Sequence, residues 1–151
     1  MSIAYRDLTH LVERLHRRLL DVVRAELTRA DINDLNGVQA LLLVNVGENE
    51  IAVRDLVERA YYLGSNVSYN IRKLTELGYL QQKPTKHDRR SVTVIPTEKA
   101  KRAIQAVRDG EVAYAERYGT ALAGLSDIET IGEALKRLEF IWTEDLGRSG
   151  R

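Results

Sequence analysis

Apolar residues recur at spacings of three and four through residues 4–29: Leu8, Leu11, Val12, Leu15, Leu19, Val22, Val23 and Leu27. That period predicts a long amphipathic helix with one apolar stripe. The turn-forming cluster Asp31-Ile32-Asn33-Asp34 ends it. Val38 to Val46 is a nearly continuous apolar run, which predicts a short helix buried on most sides. Asn36 is placed to cap it, and Gly47-Glu48-Asn49 to stop it. Ile51-Ala52-Val53 reads as a very short strand, and Arg54 to Tyr61 as a third helix with Leu56, Val57 and Ala60 inward. Tyr61-Tyr62-Leu63-Gly64 then forms a turn, with Gly64 free to take a left-handed conformation.

Ser65 is the expected cap of a fourth helix running to Leu77, with Gly78 as its stop. At 100° per residue, Val67, Ile71, Leu74 and Leu77 share one face. Ser65, Ser68, Tyr69, Arg72, Lys73 and Glu76 point away from it, and Asn66 and Asn70 flank the two faces. Tyr79 to Lys83 and Ser91 to Ile95 alternate as two strands, joined by a basic hairpin loop, Pro84 to Arg90. Thr97 caps a long helix with Glu98 in its first turn. Ser126 and Glu129 match a capping box before a last helix carrying Ile128, Ile131, Leu135, Leu138, Ile141, Trp142 and Leu146.

The order is helix, tight turn, polar helix, basic hairpin. That is the layout of a winged helix-turn-helix, so the expected fold is mainly α with a small β-wing. The expected division is a dimerisation helix at 1–34, a DNA-binding domain at 35–96 and further dimerisation helices at 97–151. The first, fifth and sixth helices carry more apolar surface than one small domain covers, and the same helices of a second chain are the simplest cover.

Composition narrows the function. The chain of 151 residues has 10 glycines, 2 prolines and no cysteine. It is long enough for a core, and thiol chemistry is excluded. The net charge is +1, but residues 72–102 hold nine Lys and Arg against three acids. Such a patch suits phosphate. No apolar run approaches the roughly 20 residues that span a bilayer, and the N-terminus has no signal-peptide character. A cytoplasmic protein is expected. No phosphate-cradling glycine loop, nucleophile elbow or HExxH pair occurs, so no enzyme, cofactor or metal is expected.

The outward set of the fourth helix can reach base edges in a major groove. Arg72 or Lys73 suits guanine, Asn66 or Asn70 adenine, and Ser65 a phosphate. Ser68 belongs to this DNA-facing set, and Tyr69 can stack on a sugar or meet a thymine methyl. At the hairpin, Lys86, His87, Arg89 and Arg90 are the expected phosphate and minor-groove contacts. Asp88 is expected to pair with one arginine and orient the other.

Asp88-Arg89-Arg90-Ser91-Val92-Thr93-Val94-Ile95-Pro96-Thr97-Glu98-Lys99-Ala100 resembles the MarR family's pattern of D-x-R, an alternating strand, then leucine-threonine and glycine. Pro96 stands in place of the leucine and Ala100 in place of the glycine. Where family members often have threonine-arginine, this chain has Ser68-Tyr69, so the family's base-reading arginine does not carry over. Tyr61 to Asn70 is similar to the alphaproteobacterial subgroup typified by the L,D-transpeptidase regulator, which would imply control of envelope or stress-tolerance genes. The resemblance implies a homodimer on a pseudo-palindromic operator, and a repressor released by a small ligand. The ligand would sit between the dimerisation helices and the reading domain. His16, Arg17, Tyr61 and Tyr62 are the polar groups expected to meet it, and an aromatic or anionic effector suits them.

Overall fold

The computed structural model describes residues 2–60, 62, 64–86, 88–123 and 128–149. The elements run α1 (Ser2–Arg29), α2 (Gly37–Val46), β1 (Ile51–Ala52), α3 (Val53–Ala60), α4 (Gly64–Glu76), β2 (Leu80–Thr85), β3 (Asp88–Pro96), α5 (Glu98–Ala123) and α6 (Ile128–Ser149). The three strands form an antiparallel sheet in the order β1-β3-β2. This is the mainly helical winged helix-turn-helix that the sequence pattern predicts.

Chain contacts divide the molecule into Met1–Gly110 and Glu111–Arg151. The first unit holds the core. Val23 and Leu27 of α1, Leu42 and Leu43 of α2, Leu56 of α3, Val67, Ile71 and Leu74 of α4, and Ile104 and Val107 of α5 pack in one cluster. The second half of α1 and the first half of α5 thus contribute to the core of the winged unit. The first half of α1 differs: Leu8, Leu11, Leu15 and Leu19 are exposed, Leu15 by 55%. In the second unit Ile128, Ile131, Leu135, Phe140, Ile141 and Leu146 are exposed, Leu146 by 71%.

Local chemistry fixes the ends of the elements. Gln39 N–H donates to Asn36 Oδ1 (2.8 Å), and Asn36 N–H donates to Gln39 Oε1 (3.2 Å), a complete capping box for α2. At Gly37 an added Cβ would lie 2.6 Å from the carbonyl oxygen of Leu20, so α1 and α2 meet there at a distance only glycine permits. Helix α1 closes on Asp31 in the left-handed region (φ 61°), with Ile32 N–H donating to the Leu27 carbonyl and Asp31 N–H to that of Thr28. Helix α4 closes the same way on Gly78 (φ 82°), through Tyr79 N–H to Leu74 and Gly78 N–H to Thr75. Gly64 opens α4 within its first turn, so Ser65 lies inside the helix rather than at its cap. The expected cap at Ser126 lies outside the described residues.

The two closures meet. Tyr79 Oη donates to Asp34 Oδ1 (2.5 Å), and Lys99 Nζ donates to Asp34 Oδ2 (3.0 Å) and to the Leu77 carbonyl (2.7 Å). The Lys99 ammonium also lies 4.4 Å from the centroid of the Tyr79 ring. Thr97 Oγ1 donates to the Gly78 carbonyl (2.7 Å) and accepts from Ala100 N–H (3.3 Å), capping α5 as expected. One polar knot therefore joins the α1–α2 loop, the end of α4 and the start of α5. Within it the Tyr79 hydrogen bond, reinforced by Lys99, holds the Asp34 carboxyl below the usual carboxylate range against a smaller opposing effect of burial. Burial, then the bond to Asp34, pushes the Tyr79 phenol well up.

The sign of the pH dependence follows. A lowered carboxylate contributes stability above its ordinary pKa and loses it as pH falls through the lowered value, here below about pH 4. A raised phenol contributes below about pH 10 and loses it above. Tyr79→Phe should cost about 1–2 kcal/mol in urea unfolding at pH 7, and the difference should shrink as pH falls below about 4, where the variant and the unfolded chains take up a proton at Asp34 before the folded wild type does. Equal stability of the two proteins at pH 7 would contradict this role of the knot.

Candidate nucleic-acid interface

Burial of Val67, Ile71 and Leu74 fixes the roll of α4. Relative to exposure, those three side chains contribute roughly 5–9 kcal/mol, an upper estimate. The opposite face is left to solvent: Ser65, Ser68 and Arg72 are exposed, and Tyr69 is 54% exposed. Lys73 lies 3.6 Å from Glu76 and 5.9 Å from the Tyr69 ring centroid. Arg72 makes no hydrogen bond or ion pair among the described residues. Of the two cations proposed for guanine, Arg72 is the unengaged one.

Asn66 and Asn70 take the flank that faces α1 and α2. They line a cleft of about 240 Å³ with His16 and Leu20 of α1, Val38 and Leu41 of α2, and Tyr62. Asn70 Nδ2 already donates to the Asn66 carbonyl (3.0 Å). That bond takes one of the two N–H groups of the amide and leaves the other and the Oδ1 acceptor. His16 and Tyr62, proposed as effector contacts, do meet in this cleft, and the Tyr62 hydroxyl is held by Asn45 Nδ2 at 3.0 Å. Arg17 is not among its lining residues and instead pairs with Glu13 on the exposed side of α1. Tyr61 lies outside the described residues.

The wing is longer than alternation predicts. Pairing runs from Leu80↔Pro96 to Pro84↔Val92, then steps to Thr85↔Asp88. Arg89, Arg90 and Ser91 therefore intervene on β3 between two successive pairs, with Arg89 and Arg90 inside a strand rather than in the expected loop. Pro84 is tolerated because β2 is the edge of the sheet, where a missing N–H leaves no partner unsatisfied. Thr85 Oγ1 and Thr93 Oγ1, 2.9 Å apart, hold the strands together across the irregularity. Lys83 pairs with Glu50 at 2.7 Å. Lys86 is exposed at the turn and Arg90 on the strand. His87 and the side chains of Asp88 and Arg89 lie outside the described residues, and with them the proposed orienting pair.

A second crevice, about 440 Å³, separates α4 from the wing. Arg54 of α3, Ser68 and Ile71 of α4, and Gln82, Arg90 and Ser91 of the wing line it. Arg54, Gln82 and Ser91 were not singled out by the sequence pattern. Arg90 and Ser91 reach this place within the register step of β3, which no local signal encodes.

Residues 35–100, from the start of α2 to the start of α5, match the winged helix DNA-binding domain family. Over 140 residues the chain is 31% identical to the exopolysaccharide II synthesis transcriptional activator ExpG of Rhizobium meliloti (strain 1021), covering 93% of this chain and 72% of that protein. The chain belongs to the MarR family. Among solved structures, AbsC, a MarR family transcriptional regulator from Streptomyces coelicolor, superposes with a TM-score of 0.70 at 23% identity over 97% of this chain and 94% of that one. The transcriptional regulator SlyA gives 0.74 at 23% over 92% and 96%. Streptococcus pneumoniae FabT in complex with DNA gives 0.68 at 17% over 94% and 99%. At these identities the structural likeness is one of fold. This MarR chain is a DNA-binding transcriptional regulator, with α4 in the recognition-helix position and β2–β3 as its wing. Among the described residues no helix is long and apolar enough to cross a membrane.

Proposed function

We propose that this MarR family member acts as a homodimer that seats two copies of α4 in successive major grooves of a pseudo-palindromic operator, about 34 Å apart. The observation that carries the reading is the one-sided burial of α4, which leaves Ser65, Tyr69 and an unengaged Arg72 outward beside a basic wing. The exposed apolar residues of α1 and α6 support the homodimer, because a second copy is the partner always available to cover them.

The cleft between α1, α2 and α4 is the proposed effector site. It is small, apolar on the Leu20, Val38 and Leu41 side, and polar at His16, Tyr62 and Asn70, which suits a single-ring aromatic anion. A ligand there touches both the dimerisation helix and the reading helix. It lowers operator affinity to the extent that it prefers the geometry in which the two readers are wrongly spaced. Release of a repressed promoter is the reading that this arrangement gives. A second reading, activation, is favoured by the relative that is named an activator. The two differ in where the operator lies relative to the promoter, and both use the same DNA-binding surface.

Binding to the chain's own promoter region, followed by fluorescence anisotropy, should weaken steeply as salt rises. Arg72→Ala should cost about 1–3 kcal/mol on the operator and relax base preference at one position of each half-site. Arg89→Ala should weaken operator and unrelated duplexes alike. A chain with no salt-sensitive affinity for that DNA would overturn the proposal. For the cleft, Val38→Trp fills the space next to His16 and Tyr62. It should bind the operator about as well as the wild type yet no longer respond to single-ring aromatic carboxylates that release the wild type. Equal release of both proteins would place the effector elsewhere.

A further inference from the structure

The crevice between α4 and the wing is distinct from the effector cleft and from the outward face of α4. Its walls come from three elements. Arg54 sits in the first turn of α3, Ser68 on the wing-side flank of α4, and Gln82, Arg90 and Ser91 on the paired strands. The lining holds two guanidinium groups, two hydroxyls and a carboxamide, one N–H of which is given to Thr75 Oγ1 (2.9 Å), and no carboxylate. Lys83 of the wing is paired with Glu50 (2.7 Å). Arg54 is exposed and makes no hydrogen bond or ion pair among the described residues. An arginine kept unpaired beside a set of neutral donors presents a site for an anion with several oxygens.

The register step in β3 is what builds this site. Arg89, Arg90 and Ser91 stand opposite a single step of β2, and a bulge of this kind re-aims side chains that a regular ladder would send to alternate faces. Here three consecutive residues, Arg90, Ser91 and Val92, line the same crevice. In a regular strand, neighbours point to opposite sides. We infer that Arg54, with Ser68, Gln82 and Ser91, seats one backbone phosphate of each DNA half-site between the recognition helix and the wing. The inference rests on the DNA-binding reading above and adds to it a contact made by α3. Arg54 thus positions the helix on the duplex without reading a base.

The test uses the full chain, an operator duplex and an unrelated duplex of equal length. Arg54→Ala should lower the slope of log affinity against log salt by about 0.9 per half-site, or about 1.8 for a dimer on a full operator. Between 50 and 200 mM salt the wild type should then lose about twelvefold more affinity than the variant. The change should be the same on both duplexes, and Arg54→Lys should restore most of the slope. Arg54 is exposed, so neither variant disturbs the core. Neutral methylphosphonates placed one at a time should identify a phosphate whose neutralisation weakens the wild type and leaves Arg54→Ala unaffected. A wild-type slope in Arg54→Ala beside normal wild-type binding would overturn this inference alone. A loss confined to the operator would make Arg54 a base reader and overturn it equally. A wild type that binds no DNA would overturn the DNA-binding reading and this contact with it.

Discussion

Val67, Ile71 and Leu74 can be buried against the core in only one roll of α4, and everything the protein offers to DNA follows from that roll. The outward residues do not choose their direction. They face solvent because the apolar stripe is buried in the core cluster. A polar substitution in the stripe would therefore turn or loosen the reading face without touching a residue that meets DNA. The roll also assigns the two flanks. One, with Asn66 and Asn70, closes a cleft against α1 and α2, and the other, with Ser68, closes a crevice against α3 and the wing. A single helix thus presents three surfaces of different chemistry.

The stripe fixes roll but not tilt, and the polar knot at Asp34, Tyr79 and Lys99 anchors the far end of the helix. Its three members come from the α1–α2 loop, the residue after the α4 cap and the first turn of α5. The aromatic ring beneath the Lys99 ammonium and the carbonyl of Leu77 leave little freedom for that lysine. A displacement of α1 relative to α2 would be passed to α4 at this point. The proposed effector response would use this coupling to reach the reading face.

Most of the fold was legible in local pattern. The stripe of α4, the Asn36 cap, the Gly78 stop and the Thr97 cap each express chemistry confined to a few consecutive residues, and the structure has each of them. What sequence did not convey depends on tertiary pairing. The apolar repeat of α1 is uniform from Leu8 to Leu27, yet Val23 and Leu27 are buried in the winged unit and Leu8 to Leu19 are exposed. Periodicity says which side is apolar and not what covers it. The wing showed the same limit, since alternation stopped at Lys83 and resumed at Ser91 while the ladder continues through a register step. Asn66 and Asn70 were legible as flanking residues, but the neighbour on that flank was not. Arg54 gave no local signal, because its importance arises only from what the β3 irregularity brings opposite it.

The central claim is that two identical reading faces, each set by the burial of one α4 stripe, meet DNA together. Selection of bound fragments from the source genome with the purified chain, followed by sequencing, tests it most directly. The account expects one enriched motif with two-fold symmetry and half-site centres about 10–10.5 base pairs apart. Enrichment of a single asymmetric half-site, or of no motif at all, would contradict it.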